Sequence, residues 1–564
     1  MVSPLFIAPR TIVLSISIAL MVSQLRAKEP DLAIGLVGHW PLNADARDIS
    51  EHGLHAKSNG VEWRPAQPGE PSGSGHFDGR SASIDVTVHP SWNPGRGDFT
   101  FACWFNTEDT TDDNLGDIVS QYNATRRRGF HLGIKTNTGV TFNQANSRQL
   151  QFGIDNDRDP EWRDCGKPGK NSLLAFALAT HHGRLFAGTC EPGLGDSGHV
   201  YQYSHGQSWI DCGSPAPCNA ITAIASYQGN LYVGTGKYRV AGSSLAESEN
   251  PHLGGRIFRY EGGTEWTDCG QLPGVEAVSG MVVYRGQLYA GSLYKPAGFF
   301  RYEGDCKWSA IPIPDGKRVE ALTVYNGHLY ASSYDAGNVY RYDGETWSDL
   351  GALGNPTENT QTYSFATYQG RLYAGTWRSG RVYRLEDGNR WADTGRLGEE
   401  LEVMGMLVHN GRLVAGTLPL AEIHQFTGDQ GWKRLKQLDL TPDVKYRRAW
   451  AMTEYQGQLY CSTLPSGRIH ACDMGRLVTW DREFPTGWHH VTAMKSGGKL
   501  LLFVDGELKV SSASFNREDF DLSSTLPLKI GCGPNDFFHG RLRNVRIYNR
   551  ALTLDEISSL ATKN

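Results

Sequence analysis

Gly370-Arg-Leu-Tyr-Ala-Gly-Thr376 is one of seven copies of a single phrase, and its repetition decides the fold of the middle of the chain. The others are GRLFAGT from Gly183, GNLYVGT from Gly229, GQLYAGS from Gly286, GHLYASS from Gly327, GRLVAGT from Gly411 and GQLYCST from Gly457. Most copies stand 41 to 46 residues apart, with one gap of 57. An apolar run such as VEALTVY precedes the phrase and a second alternating run such as GRVYRL follows it, each with the period of two that marks a strand. A fourth element carries a tryptophan, as in Trp162-Arg-Asp-Cys-Gly166, Trp266-Thr-Asp-Cys-Gly270 and Trp391-Ala-Asp-Thr-Gly395. Four antiparallel strands per repeat, with one tryptophan to wedge between neighbouring sheets, predict a β-propeller of seven blades. The phrases loosely resemble kelch-type propellers over residues 160–473, without the double glycine of true kelch repeats. SHGQSW, EGGTEW and DGETW before Trp209, Trp266 and Trp347 resemble the Asp-box hairpins of sialidases, although that family's arginine cluster and Tyr/Glu pair cannot be placed. Both resemblances concern fold and do not assign chemistry.

The flanks lack the repeat. Val37-Gly-His-Trp-Pro-Leu-Asn43, Gly75-His-Phe-Asp-Gly79 and Phe99-Thr-Phe-Ala-Cys-Trp-Phe105 lie before it; Trp488-His-His-Val491, Leu501-Leu-Phe-Val-Asp-Gly506 and Gly540–Leu552 lie after it. In that order they resemble the laminin-G-like, concanavalin A-like jelly-roll family, which implies an antiparallel sandwich and a lectin-like role. The residues agree independently. Phe99, Phe101 and Cys103 alternate with Thr100, Ala102 and Trp104, as a strand with one core face requires. Asp505-Gly506 is a type I′ hairpin signal, and Thr553–Glu556 is a capping box for a short closing helix. Neither half closes a sandwich alone, so the fold class expected is all-β, an antiparallel jelly roll with an inserted seven-bladed propeller. The expected division is a signal peptide at 1–27, the first jelly-roll half at 35–158, the propeller at 159–474 and the second half at 475–564. A propeller suits insertion because its first and last blades are neighbours, which brings its ends together.

The leader expectation rests on Arg10, the apolar run Thr11–Ser23 and Ala27 at the cleavage position, and makes the protein secreted, periplasmic or cell-surface, with no transmembrane segment once processed. Its removal takes away Arg10 and Arg26 and no acid, so 55 basic residues become 53 against 60 acidic, and nothing points to nucleic acid. Ten cysteines lack the paired spacing of a zinc ribbon, and Cys461 with Cys472 is the disulfide candidate. No cofactor is evident. Jelly rolls of this type frequently carry calcium, yet no acidic loop with ligand spacing stands out, and Asp78 and Asp505 read as turn formers.

Propeller loops on one face surround the central channel. After the repeat phrase come Tyr238-Arg239, Tyr294-Lys295, Tyr334-Asp335 and Trp377-Arg378, while Arg447, Arg448 and Trp450 open the last blade. Aromatic faces stack on sugar rings, and Arg or Lys beside them holds carboxylate or sulfate, so these residues are the candidate ligand-binding set for a polysaccharide or other glycan, including an anionic one. The bland alternative is packing between blades. For catalysis, His252 with Tyr238 and Arg239 is the candidate set for β-elimination on a uronate polymer, against a solvated loop histidine. Glu320 and Glu402 form a candidate glycosidase pair, against two channel-lining glutamates bound to water or backbone. The function expected is an exported carbohydrate-binding protein. The alternatives are a polysaccharide lyase or glycoside hydrolase with its site on the propeller top, and a scaffold for protein partners.

Overall fold

The computed structural model describes residues 30–108, 112–137 and 143–562, so the expected leader lies outside the described residues. The chain is all-β, a jelly-roll sandwich with an inserted propeller. The inner strands of the propeller are Leu174–His181, Ala220–Tyr227, Val278–Tyr284, Val319–Tyr325, Gln361–Tyr368, Glu402–His409 and Arg448–Tyr455. Each packs beside the next, and the last beside the first, so they enclose a channel. Outward from each run three more antiparallel strands; the fourth strand of the last unit, Glu161–Asp164, comes from the start of the insertion and pairs with Ile469–Asp473.

The repeat phrase owes its glycine to a two-residue turn between the first and second strands. Gln369 (φ 51°) and Gly370 (φ 70°) are both left-handed, and so are Asn326 and Gly327, Asn410 and Gly411, and the other copies, as a type I′ hairpin requires. The tryptophans join neighbouring units. Trp209, Trp266 and Trp308 donate their Nε1–H to the carbonyls of Cys165, Cys212 and Cys269, each at 2.9 Å, and Trp347 donates to Pro312 at 2.7 Å. Each ring also packs on its own sheet, with Tyr203–Trp209 centroids 5.0 Å apart.

In the jelly roll, one sheet is built on Phe99–Thr107, Gly487–Ser496 and His539–Tyr548, and the facing one on Gly116–Asn123, Arg128–Asn137 and Asn143–Asn156. Phe77, Phe105 and Phe152 from before the propeller share one core with Val491 and Leu542 from after it. Asn143–Asn156 pairs with Arg476–Trp480, Ile154 opposite Arg476, so the sheet resumes where the propeller ends. Asp505 (φ 52°) and Gly506 (φ 83°) form the expected turn, and Thr553 and Glu556 cap Leu554–Thr562 reciprocally.

The jelly roll closes the lower end of the channel. Its hairpin Arg128–Asn137 and Asn143–Asn156 runs up among the inner strands, pairing Asn143 with Ile224 and Ala145 with Ser226. Lys135 donates to Glu454 Oε2 at 2.8 Å and to the Val408 carbonyl, and Glu454 Oε1 meets His409 Nδ1 at 2.7 Å. Arg412 holds Asp155 through two bonds of 2.6 and 2.5 Å. The type I′ turns rest on the same surface. Gly286 and Gly327 donate their N–H to Asp112 and Asp113 at 3.0 Å, and Gln456 donates to Asp481 at 2.8 Å.

One expectation is corrected. All ten cysteines are free thiols. Cys461 stands opposite His470 and Cys472 opposite Leu459, a diagonal register that does not align the two for a cross-strand disulfide.

Candidate functional site

The jelly roll fills the lower end of the channel, and a second set of buried side chains gathers in a cup at the upper end. Phe176, Glu320, Tyr363 and Trp450 each stand seven residues before their unit's repeat glycine, and Arg318, Glu402 and Arg448 nine before, so equal positions on neighbouring inner strands bring them to the upper end. Glu320 is 1 % exposed, and neither carboxyl oxygen has a hydrogen-bond partner. Burial, with repulsion from Glu402, pushes its pKa well above the carboxylate range against the pull of Arg318. Burial likewise raises Glu402 to about 7, opposed by Arg448. Burial and then the two glutamates raise the Tyr363 phenol. Two carboxyl groups whose pKa values burial raises thus share one space with Arg448, Tyr334 and Tyr363.

The expected ligand residues are distributed around this cup. Tyr238 is buried on Phe176 (4.9 Å) and Trp450 (6.2 Å), its phenol 2.5 Å from Ser243 Oγ, and Arg448 donates to the same serine. Arg448 also lies over Trp450, 5.0 Å from the ring centre. Arg239 is exposed, pairs with Glu276 at 2.6 Å and covers Tyr294 at 4.6 Å. Arg318 covers Tyr334 at 4.2 Å and grips Asp335, whose carboxylate is also 3.9 Å from exposed Lys295. Trp377 meets Tyr446 edge-on at 6.3 Å beneath exposed Arg378, and Arg447 Nε donates to the Thr441 carbonyl at 2.6 Å.

Several aromatic faces expected to be free for a sugar are therefore occupied by the chain's own arginines. The polar edges and the two glutamates are what the cup offers. The set Tyr238, Arg239 and His252 divides among three partners: Tyr238 goes to Ser243, Arg239 to Glu276, and exposed His252 is tied through its backbone N–H to Asn250 Oδ1 at 2.8 Å. Burial raises the Tyr238 phenol, against the pull of Arg448, which opposes a role as phenolate base. Asp78 accepts from the Arg80, Ser81 and Ala82 N–H groups at 2.9 Å, which hold its pKa near about 2 despite burial, and Asp505 accepts from His490 N at 2.9 Å. Among the described residues, one group has metal-ligand spacing, Glu400, Glu422 and His424 in the sixth unit, with ligand atoms within 4.8 Å; Arg434 already pairs with Glu422 at 2.6 Å. Arg318, Tyr363, Glu276 and Ser243 were not anticipated; counting back seven and nine residues from each glycine would have found the first two.

The model of the concanavalin A-like lectin/glucanases superfamily matches residues 473–558. No curated protein is similar enough to count as a relative. Among solved structures, a streptogramin B lyase aligns at 10% identity over 56% of this chain and 98% of its own, with a TM-score of 0.44. Virginiamycin B lyase from Staphylococcus aureus aligns at 8% over 56% and 99%, TM-score 0.44. The extracellular domain of a hybrid two-component system from B. thetaiotaomicron aligns at 11% over 62% of this chain and 46% of its own, TM-score 0.40. Likeness at this level concerns fold alone. Among the described residues no helix is long and apolar enough to cross a membrane.

Proposed function

We propose that the chain is an extracellular carbohydrate-binding protein that takes a glycan at the upper end of the propeller channel. The observation that carries this reading is Glu320: a carboxyl group buried without a partner is costly, and a polyhydroxylated ligand supplies the missing donors and acceptors. Tyr334, Tyr363, Glu402 and Arg448 surround it with further hydrogen-bonding groups. The superfamily matched by residues 473–558 is consistent with such a role.

A second reading, a glycoside hydrolase, is favoured by one feature. Two neighbouring carboxyls whose pKa values burial raises are groups that general acid and base roles can use. A panel of neutral, uronate-containing and sulfated polysaccharides separates the two, following retention on the polymer and the appearance of reducing or unsaturated ends. Retention lost in Glu320→Gln, with no new ends, supports binding. New ends that vanish in Glu402→Gln make the protein an enzyme. Retention unchanged in Glu320→Gln removes this site from the function.

A further inference from the structure

A second cluster of unsatisfied polar groups lies far from the propeller, on the outer face of the jelly-roll sheet built on Phe99–Thr107. Trp104 stands opposite both His490 and Arg543, and Ala102 opposite both Thr492 and Arg546. These side chains share one face, because Phe101, Cys103, Val491, Val545 and Ile547 point the other way into the core. His490 is fully buried, and both of its ring nitrogens lack a partner. Trp104 Nε1, Thr492 Oγ1 and Tyr548 Oη are also buried without one. Arg546 makes no side-chain hydrogen bond or ion pair among the described residues, and its Nη1 is buried.

The chemistry of the cluster is one-sided. Indole N–H, hydroxyls, an imidazole and a guanidinium are hydrogen-bond donors, and the guanidinium is a permanent cation. Every neighbouring carboxylate is already engaged. Asp48 accepts from the backbone N–H groups of His39, Ser50 and Leu54. Glu70 accepts from Trp488 Nε1 at 2.8 Å and from Arg541. Asp505 meets His489 Nδ1 at 2.7 Å, and Glu556 pairs with Arg550 at 2.6 Å. Arg546 is half-buried, with Nη1 sealed from water and no counter-ion beside it, which is costly, and an anion from outside is a remedy. His39, Asn106, Trp488 and Arg541 are only half-buried and border the cluster, Ala102 presents only a methyl between Thr492 and Arg546, and the closing helix packs beyond Tyr548.

We propose that this face is an oxyanion-binding site, in which Arg546, His490, Thr492 and the Trp104 indole receive the carboxylate or sulfate group of an acidic ligand. The site is separate from the propeller cup. Retention of an acidic polymer by the whole chain would then have two sources, and variants tell them apart.

Titration calorimetry on the full chain, with inorganic sulfate, glucuronate and a neutral glucose oligosaccharide as probes, tests it. Sulfate or glucuronate should bind, and the stronger of the two names the ester or the carboxylate as the natural group. Arg546→Met should weaken that binding about tenfold or more, the worth of one charged hydrogen bond, with Arg546→Lys intermediate. Thr492→Val, nearly isosteric, should weaken it by a smaller factor without changing the melting temperature, which keeps the test decisive where Arg546→Met destabilises the sheet. Lys433→Ala, in an exposed pair of the sixth unit, serves as the control and should leave anion affinity untouched. The proposal is overturned when wild type binds neither anion, or when Arg546→Met and Thr492→Val bind them as wild type does.

Discussion

At the lower end of the channel Asp155 and Arg412 are both withdrawn from solvent and meet through two hydrogen bonds, with Tyr122 Oη a further 2.9 Å donor to the carboxylate. At the upper end Glu320 is as deeply buried and has no partner. The two ends come from the same repeat. What differs is the partner supplied: a jelly-roll surface pairs Arg412 with Asp155 and Lys135 with Glu454 below, and nothing pairs with Glu320 above. The unpartnered carboxyl at the upper end is what the proposed ligand would satisfy.

The largest expected effect falls on the lower end. Asp155→Ala leaves Arg412 buried and unpaired and should cost about 3 to 5 kcal/mol in denaturant unfolding, against little change for an exposed pair such as Lys433–Asp159. A loss under ~1 kcal/mol would mean that the underside is not the welded interface its geometry implies.

The pH dependence should have opposite signs at Glu454 below and Glu402 above. Although burial raises it, Lys135 and His409 hold Glu454 at about 2, below its unfolded value, so its stabilisation is complete above about pH 4.5 and disappears as pH falls towards 2. That is worth about 3 kcal/mol. Glu402, held at about 7 by burial, binds its proton more tightly when folded, so its contribution is complete below pH 4.5 and is lost as pH rises through 7. Relative to wild type, Glu454→Gln should flatten the acid limb of a stability–pH curve and Glu402→Gln the neutral limb. Identical slopes in wild type and either variant would refute the corresponding assignment.

Glu320→Leu should stabilise the chain by about 1 to 3 kcal/mol while abolishing retention on glycan, since it removes an unpartnered carboxyl. A destabilised variant would show that Glu320 is held for structure and would remove the contrast between the ends. The smallest effect belongs to the solvent-facing loop. His252→Ala should change stability by under ~0.5 kcal/mol and leave retention unaltered. Loss of retention there would move the site outward from the cup to the loop.

The turns and clasps of the fold were legible because their signals are local. Gly370 and its counterparts announce a type I′ turn, the tryptophans announce a clasp, and Asp505-Gly506 announces a hairpin. Pairings between distant segments were not. Nothing near Gly286 foretells Asp112, and nothing near Lys135 foretells Glu454, because such contacts depend on where two separately folded surfaces meet. Cys461 and Cys472 were assigned to the right hairpin but the wrong register, since alternation identifies the face and leaves a two-residue slip open. In the cup, the aromatic-basic pairs of the loops were visible as dipeptides. Their mutual stacking, Arg239 on Tyr294 and Arg318 on Tyr334, was not, because it joins one unit to the next.

The splice has a consequence for the order of assembly. Asn156 and Arg476 lie on adjacent strands of the jelly roll, yet during synthesis the whole propeller emerges between them. Until it folds, the first jelly-roll half has an unfinished core, missing Val491 and Leu542, and a strand edge with no neighbour. Pairing Glu161–Asp164 with Ile469–Asp473 shuts the ring and delivers residue 476 to the side of residue 154, turning a closure across more than three hundred residues into a local one. The propeller is then the jig on which the sandwich is finished, and a mutation that weakens the Glu161–Asp164 latch should slow maturation of a domain it never touches.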